Sequence, residues 1–203
     1  MPTAGSNGGS DRLHSMAQPR SSARRATYDD LLALPEHVVG EIIAGELVVS
    51  PRPAPRHAVA ASVLGGELGP PYHGGRGGPG GWWILFEPEL HVGDDVLVPD
   101  LAGWRRERMP VIPDTAYFTM APDWLCEVLS PSTARLDRQK KLKVYAREGV
   151  THIWLLDPIQ RILEVLRLEQ QQWMIVSVHT NDEEVRAEPF EATLLFLSRL
   201  WAD

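Results

Sequence analysis

At 203 residues, 43% of them hydrophobic, the chain is long enough for one well-packed domain and too short for two full ones. Its formal charge of −7 hides a division: four arginines against one aspartate in the first 26 residues leave −10 on the remainder. An acidic body of that kind lacks the electrostatic footprint of a protein that coats nucleic acid non-specifically, although a local basic patch stays open to it. A single cysteine, Cys126, excludes a disulfide framework and a thiolate metal site, and it reads as a small packed hydrophobe.

No run approaches the roughly 18 apolar residues of a membrane span, so a cytoplasmic, membrane-free protein is expected. Residues 1–26 are rich in Gly, Ser and Arg and lack the apolar centre of a signal peptide. They predict a flexible tail ahead of a domain over 27–203. Thr27 can cap a short helix at 28–34 whose acids fall in the first turn. The segment 38–43 is apolar around Glu41, and after Gly45 the run 46–50 reads as a strand stopped by Pro51, Pro53 and Pro55. A helix follows over 56–68, with Val59, Val63 and Leu64 on its packing side. The stretch 65–81 holds nine glycines and three prolines, which predicts an irregular surface loop.

Two strands are expected over 82–92 and 96–104, joined at Gly93-Asp94-Asp95, and another over 124–129. A helix over 136–147, stopped by Gly149, leads to a strand over 152–156, which should pair in parallel with 124–129 through a right-handed crossover. Two further strands, 161–168 and 172–179, form an antiparallel extension, with a tail over 189–200. The fold class is therefore α/β: a mixed central β-sheet flanked by helices, with a C-terminal antiparallel extension.

Two acids stand out. Asp100 lies in the apolar run Val96-Leu97-Val98-Pro99-Asp100-Leu101-Ala102, and Glu127 lies in Trp124-Leu125-Cys126-Glu127-Val128-Leu129. Such runs read as buried strands, and a carboxylate buried there has to be paired, hydrogen-bonded or bound to a metal. Two on neighbouring strands suit a shared Mg²⁺ or Mn²⁺, which prefers carboxylate and carbonyl oxygens. The alternative is a pair of structural acids bonded to backbone amides or arginines. The helix after Glu127 carries Arg135, Arg138, Lys140, Lys141, Lys143 and Arg147, which read mostly as a solvated basic face. Lys141 follows Asp137 by four and precedes Tyr145 by four, along a flank of the packing stripe. The histidines show no metal-ligand spacing. His57, at a helix start, is either a structural residue or one that faces a groove. Trp82 and Trp83 read as core.

The stretch Pro99-Asp100, then Glu127-Val128-Leu129-Ser130-Pro131-Ser132-Thr133, then Asp137-Arg138, Lys141, Tyr145 and Gly149-Val150, then Ile153-Trp154-Leu155-Leu156-Asp157-Pro158, resembles the Uma2 family of restriction-endonuclease-like proteins. So does Glu41-Ile42-Ile43-Ala44-Gly45-Glu46-Leu47-Val48 with Pro55-Arg56-His57. The resemblance covers roughly 27–200 and implies a PD-(D/E)xK nuclease fold. It further implies that Asp100 is the signature aspartate, Glu127 the second acid and the Val128 carbonyl a further metal ligand, with Glu41, on the first core helix, an auxiliary acid. Where the superfamily has lysine two residues after the second acid, this chain has Leu129. The resemblance assigns that catalytic role to Lys141 instead. The implied activity is Mg²⁺-dependent (or Mn²⁺-dependent) hydrolysis of a DNA phosphodiester by a metal-activated water, with a homodimer as a candidate assembly. The rival is an inactive nuclease fold that serves as a binding or assembly module, which the acidic composition and Leu129 favour.

Overall fold

A computed structural model describes residues 24–202; most of the expected tail lies outside them. Its last residues, 24–26, lie against the domain: Arg24 pairs with Asp30, and the Ala26 amide donates to the Gly45 carbonyl at 2.9 Å. Helix α1 (Tyr28–Leu32) is closed by a capping box between Thr27 and Asp30. Strands β1 (Val38–Ile43) and β2 (Glu46–Pro51) form a hairpin. Its turn residues, Ala44 and Gly45, have φ of 54° and 80°, the left-handed pair a tight turn of this hand requires.

The helix α2 (Pro55–Leu68) runs without interruption into a π-helical turn over Gly69–His73, so the glycine-rich stretch is not all loop. Glycines enter this helix to allow close approach: a Cβ on Gly65 would stand 2.0 Å from the Phe86 ring. The buried side of α2 is accordingly Ala60, Leu64, Gly65 and Leu68, with Val59 turned outward. Leu64 is buried and Val63 packs against the same core, as expected, while Ala60 and Gly65 let the helix approach closely. Tyr72, in the π turn, is buried against Phe190 and donates its hydroxyl to the Phe190 carbonyl.

The strands expected over 82–92 and 96–104 each divide. β3 (Trp82–Phe86) and β6 (Leu101–Arg105) belong to one sheet; β4 (Leu90–Val92) and β5 (Asp95–Leu97) belong to another. Glu87, at φ 42°, ends the first run. Pro99, with no N–H to offer a ladder, ends the second. The chain thus leaves one sheet at Leu97 and enters the other at Leu101, with Asp100 at the seam.

Next come β7 (Trp124–Val128), a helical stretch built from α3 (Ala134–Leu136), a π-helical segment (Asp137–Lys141) and α4 (Leu142–Arg147), and then β8 (His152–Asp157). β7 and β8 pair in parallel, as the strand–helix–strand unit predicts. β9 (Ile162–Glu169) and β10 (Gln172–Thr180) are the antiparallel extension. β11 (Glu184–Val185) and β12 (Leu195–Phe196) form a small ribbon before a 3₁₀ turn at Leu197–Leu200. The larger sheet is six-stranded, in the order β10-β9-β8-β7-β6-β3, and the smaller is four-stranded, β2-β1-β5-β4.

β7 lies between two cores. Trp124, Cys126 and Val128 join one cluster with Leu64, Trp154 and Phe190; Leu125 and Leu129 join the other with Trp104, Tyr145 and Leu155. Strand alternation places Glu127 on the Leu125 side, the face covered by the 134–147 helix. Cys126 is fully buried, where its thiol is pushed well above its ordinary pKa by loss of solvent.

Candidate active site

Asp100 and Glu127 come together through ordinary antiparallel register. Leu101 pairs with Cys126, so one step back along β6 puts Asp100 beside Glu127. The Val128 amide donates to Asp100 Oδ2 at 2.7 Å, and His57 Nε2 stands 3.2 Å from Asp100 Oδ1. Both acids line one cleft of about 290 Å³ with Glu41, His57, Val128, Asp137 and Lys141. Pro51, Arg52 and Pro53 from one side, and Ser130-Pro131-Ser132-Thr133 from the other, form its walls.

Glu41 reaches the cleft from β1, a strand of the smaller sheet, and not from a helix. The apolar residues flanking it, Ile42 and Ile43, pack as strand residues do, and Glu41 is itself buried. Its Oε1 accepts from the Val98 amide at 2.9 Å.

Lys141 comes to the same cleft from the helix, deeper than a flank position implies. It is 5% exposed, with Nζ 3.0 Å from Glu41, 3.3 Å from Glu127 and 3.4 Å from Asp137. The cause is local: the π-helical segment runs over Asp137–Lys141 and turns both ends of its span inward. Such single π turns recur at functional sites. Tyr145 completes the group by donating its hydroxyl to Glu127 Oε1 at 2.5 Å. Asp137 and Tyr145 thereby join the site, beyond the residues that the resemblance names for it. Their four-residue spacing about Lys141 was the signal, because positions 137, 141 and 145 share one helical stripe.

The electrostatics follow from burial. Loss of solvent pushes the Glu127 carboxyl well above the usual carboxylate range, aided by Asp137, Asp100 and Glu41 and opposed by Lys141. Asp137 is raised for the same first reason. Burial works against the Lys141 charge, but Glu127, Glu41 and Asp137 outweigh it and hold the ammonium well above its ordinary value. His57 is pulled down by burial and up by Asp100, and ends raised.

Three carboxylates thus meet one ammonium, with Asp100 beside them paired to His57, so acids outnumber bases in a site with little solvent, where a carboxylate has to be met by a proton or a cation. Asp100, Glu127 and the Val128 carbonyl offer only oxygen, the donor chemistry of a hard divalent ion. Among the described residues no three His, Cys, Asp or Glu side chains are grouped to hold an ion by themselves. An ion here would rest on two carboxylates, a backbone carbonyl and water, a set that suits Mg²⁺. No helix among the described residues is long and apolar enough to cross a membrane.

The chain is similar to a crystal structure described as a putative nuclease belonging to DUF820 from Anabaena variabilis ATCC 29413. The identity is 26%, with 87% of this chain and 97% of that chain covered and a TM-score of 0.70. No curated protein matches. The family model named Uma2 and described as "Putative restriction endonuclease" matches residues 26–197, so the chain belongs to the Uma2 family.

Proposed function

We propose that the chain is a Mg²⁺- or Mn²⁺-dependent endonuclease that hydrolyses DNA phosphodiesters. The observation that carries this reading is the convergence of Asp100, Glu127 and the buried Lys141 in one cleft. A divalent ion held by Asp100, Glu127 and the Val128 carbonyl would activate the attacking water and neutralise charge on the scissile phosphate. Lys141 supplies a fixed positive charge beside the second acid, suited to stabilising charge that develops on the phosphate. Its ammonium, 3.3 Å from each Glu127 oxygen, supports the reading that the helix supplies the lysine absent at position 129. Glu41 anchors that ammonium at 3.0 Å, and through its other oxygen is an auxiliary acid.

Leu129, buried in the apolar core, favours the second reading, a binding module that kept the fold without the chemistry. One experiment separates the two. The full chain is incubated with single-stranded and duplex DNA and with RNA, with and without Mn²⁺, beside Asp100→Asn. Mn²⁺-dependent cleavage of DNA that disappears in the variant supports the enzyme. Binding without cleavage in every condition supports the module. Cleavage that survives in the variant would remove Asp100 from the site. Sedimentation of the same sample, with and without duplex, tests the homodimer.

A further inference from the structure

We infer that Tyr145 is a positioning residue that sets the orientation of the Glu127 carboxylate for cation binding, an inference that rests on the metal-dependent reading above. Lys141 cannot set it. Its ammonium is 3.3 Å from each Glu127 oxygen and is shared with Glu41 and Asp137, so it attracts the group without distinguishing its two oxygens. The terminal torsion of a glutamate is broad, and an evenly placed charge leaves it so. Tyr145 does distinguish them: its hydroxyl is 2.5 Å from Oε1, and Glu127 is its one hydrogen-bond partner among the described residues. The ring that carries this hydroxyl is itself immobilised, 1% exposed in the core beneath the helix.

Asp100 is held in a parallel way. The Val128 amide takes its Oδ2. Each proposed ligand therefore has one oxygen fixed by an uncharged donor, which orients the carboxylate without cancelling its charge. Asp100 Oδ1, 3.2 Å from His57 Nε2, and Glu127 Oε2, 3.3 Å from the Lys141 ammonium, are the oxygens that a cation would share with those two groups. Partners of this kind, one bond removed from the ion, typically govern affinity by about 10–100-fold.

The test is calorimetric titration of Mn²⁺ into the full wild-type chain, Tyr145→Phe and Asp100→Asn, with thermal unfolding of each in chelator. Tyr145→Phe keeps the ring and deletes only the oxygen. Its Mn²⁺ affinity should fall about 10–100-fold. Cleavage should need correspondingly more Mn²⁺ and recover at saturation. A lower melting temperature with Mn²⁺ affinity within twofold of wild type would mean that the hydroxyl only stabilises the fold, and would overturn the inference while leaving the metal site standing. No Mn²⁺ binding by the wild type would overturn the metal reading and the inference with it. A crystal structure of the wild type with Mn²⁺ provides a check that needs no variant. The Tyr145 hydroxyl should still bond Glu127 Oε1 while Oε2 meets the ion, and a hydroxyl turned away from Glu127 would refute the assignment.

Discussion

Lys140 and Lys141 are neighbours on one helix, and they inhabit different physics. Lys140 reaches outward to Glu46, with both partners well exposed. Lys141 turns inward and meets three carboxylates, all nearly without solvent. Water screens the first pair and replaces it at little cost. The second group exists only because its charges compensate one another, so the loss of one member strands the rest. Position on the helix, and not residue type, separates a surface ornament from a structural necessity.

The largest effect should come from breaking the inner group. Lys141→Ala leaves Glu41, Glu127 and Asp137 facing one another without a cation and should cost about 3–5 kcal/mol in urea unfolding. A loss near zero would place Lys141 in solvent after all. Any effect of Lys141→Ala on DNA cleavage is accordingly to be measured at temperatures where the variant is still folded.

The pH dependence should carry the same signature. A carboxyl raised by burial holds its proton more tightly when folded, so its contribution is full below its unfolded value of about 4.3 and is lost as pH rises through the raised value. Glu127→Gln should remove part of that decline, with Asp137, raised in the same direction, retaining the rest. Urea midpoints of both proteins between about pH 4 and 8 would show it, and parallel curves would contradict it.

Lys140→Ala sharpens the contrast from the other side, with an expected change of no more than about 1 kcal/mol in the same assay. The smallest effect belongs to Asp30. Arg24, then the Thr27 amide and hydroxyl, lower its carboxyl to about 2. The sign is opposite to that of Glu127: its contribution is present above an unfolded value of about 3.9 and fades as pH falls toward 2. Asp30→Asn should leave neutral stability nearly unchanged and flatten only the acid limb.

Much of this was legible in the chain. The runs around Asp100 and Glu127 are apolar enough to betray buried acids, and the strand–helix–strand unit dictated its own parallel pairing. Less legible was anything that depended on close approach. Gly65 falls both in the expected helix, 56–68, and in the glycine-rich stretch, 65–81, and its reason for being glycine is the Phe86 ring, which is distant in sequence. Glu41 sits among apolar neighbours in a segment of six, too short for its period to separate helix from strand. The 137, 141, 145 spacing marks a stripe on the helix but not that Lys141 is buried among three carboxylates, because Glu41 arrives from a strand distant in sequence.

The prolines beside the cleft have a kinetic and entropic consequence. Pro51, Pro53 and Pro55 fall within five residues, and two of them line the cleft directly. Each fixes its own φ and narrows the residue before it. A wall so constrained has little freedom left to surrender when a polymer lies against it, so association there should lose less ordering entropy than at a glycine-rich lid. It also has few ways to reshape itself. Discrimination at this wall would come from rejecting strands that do not fit rather than from folding around those that do.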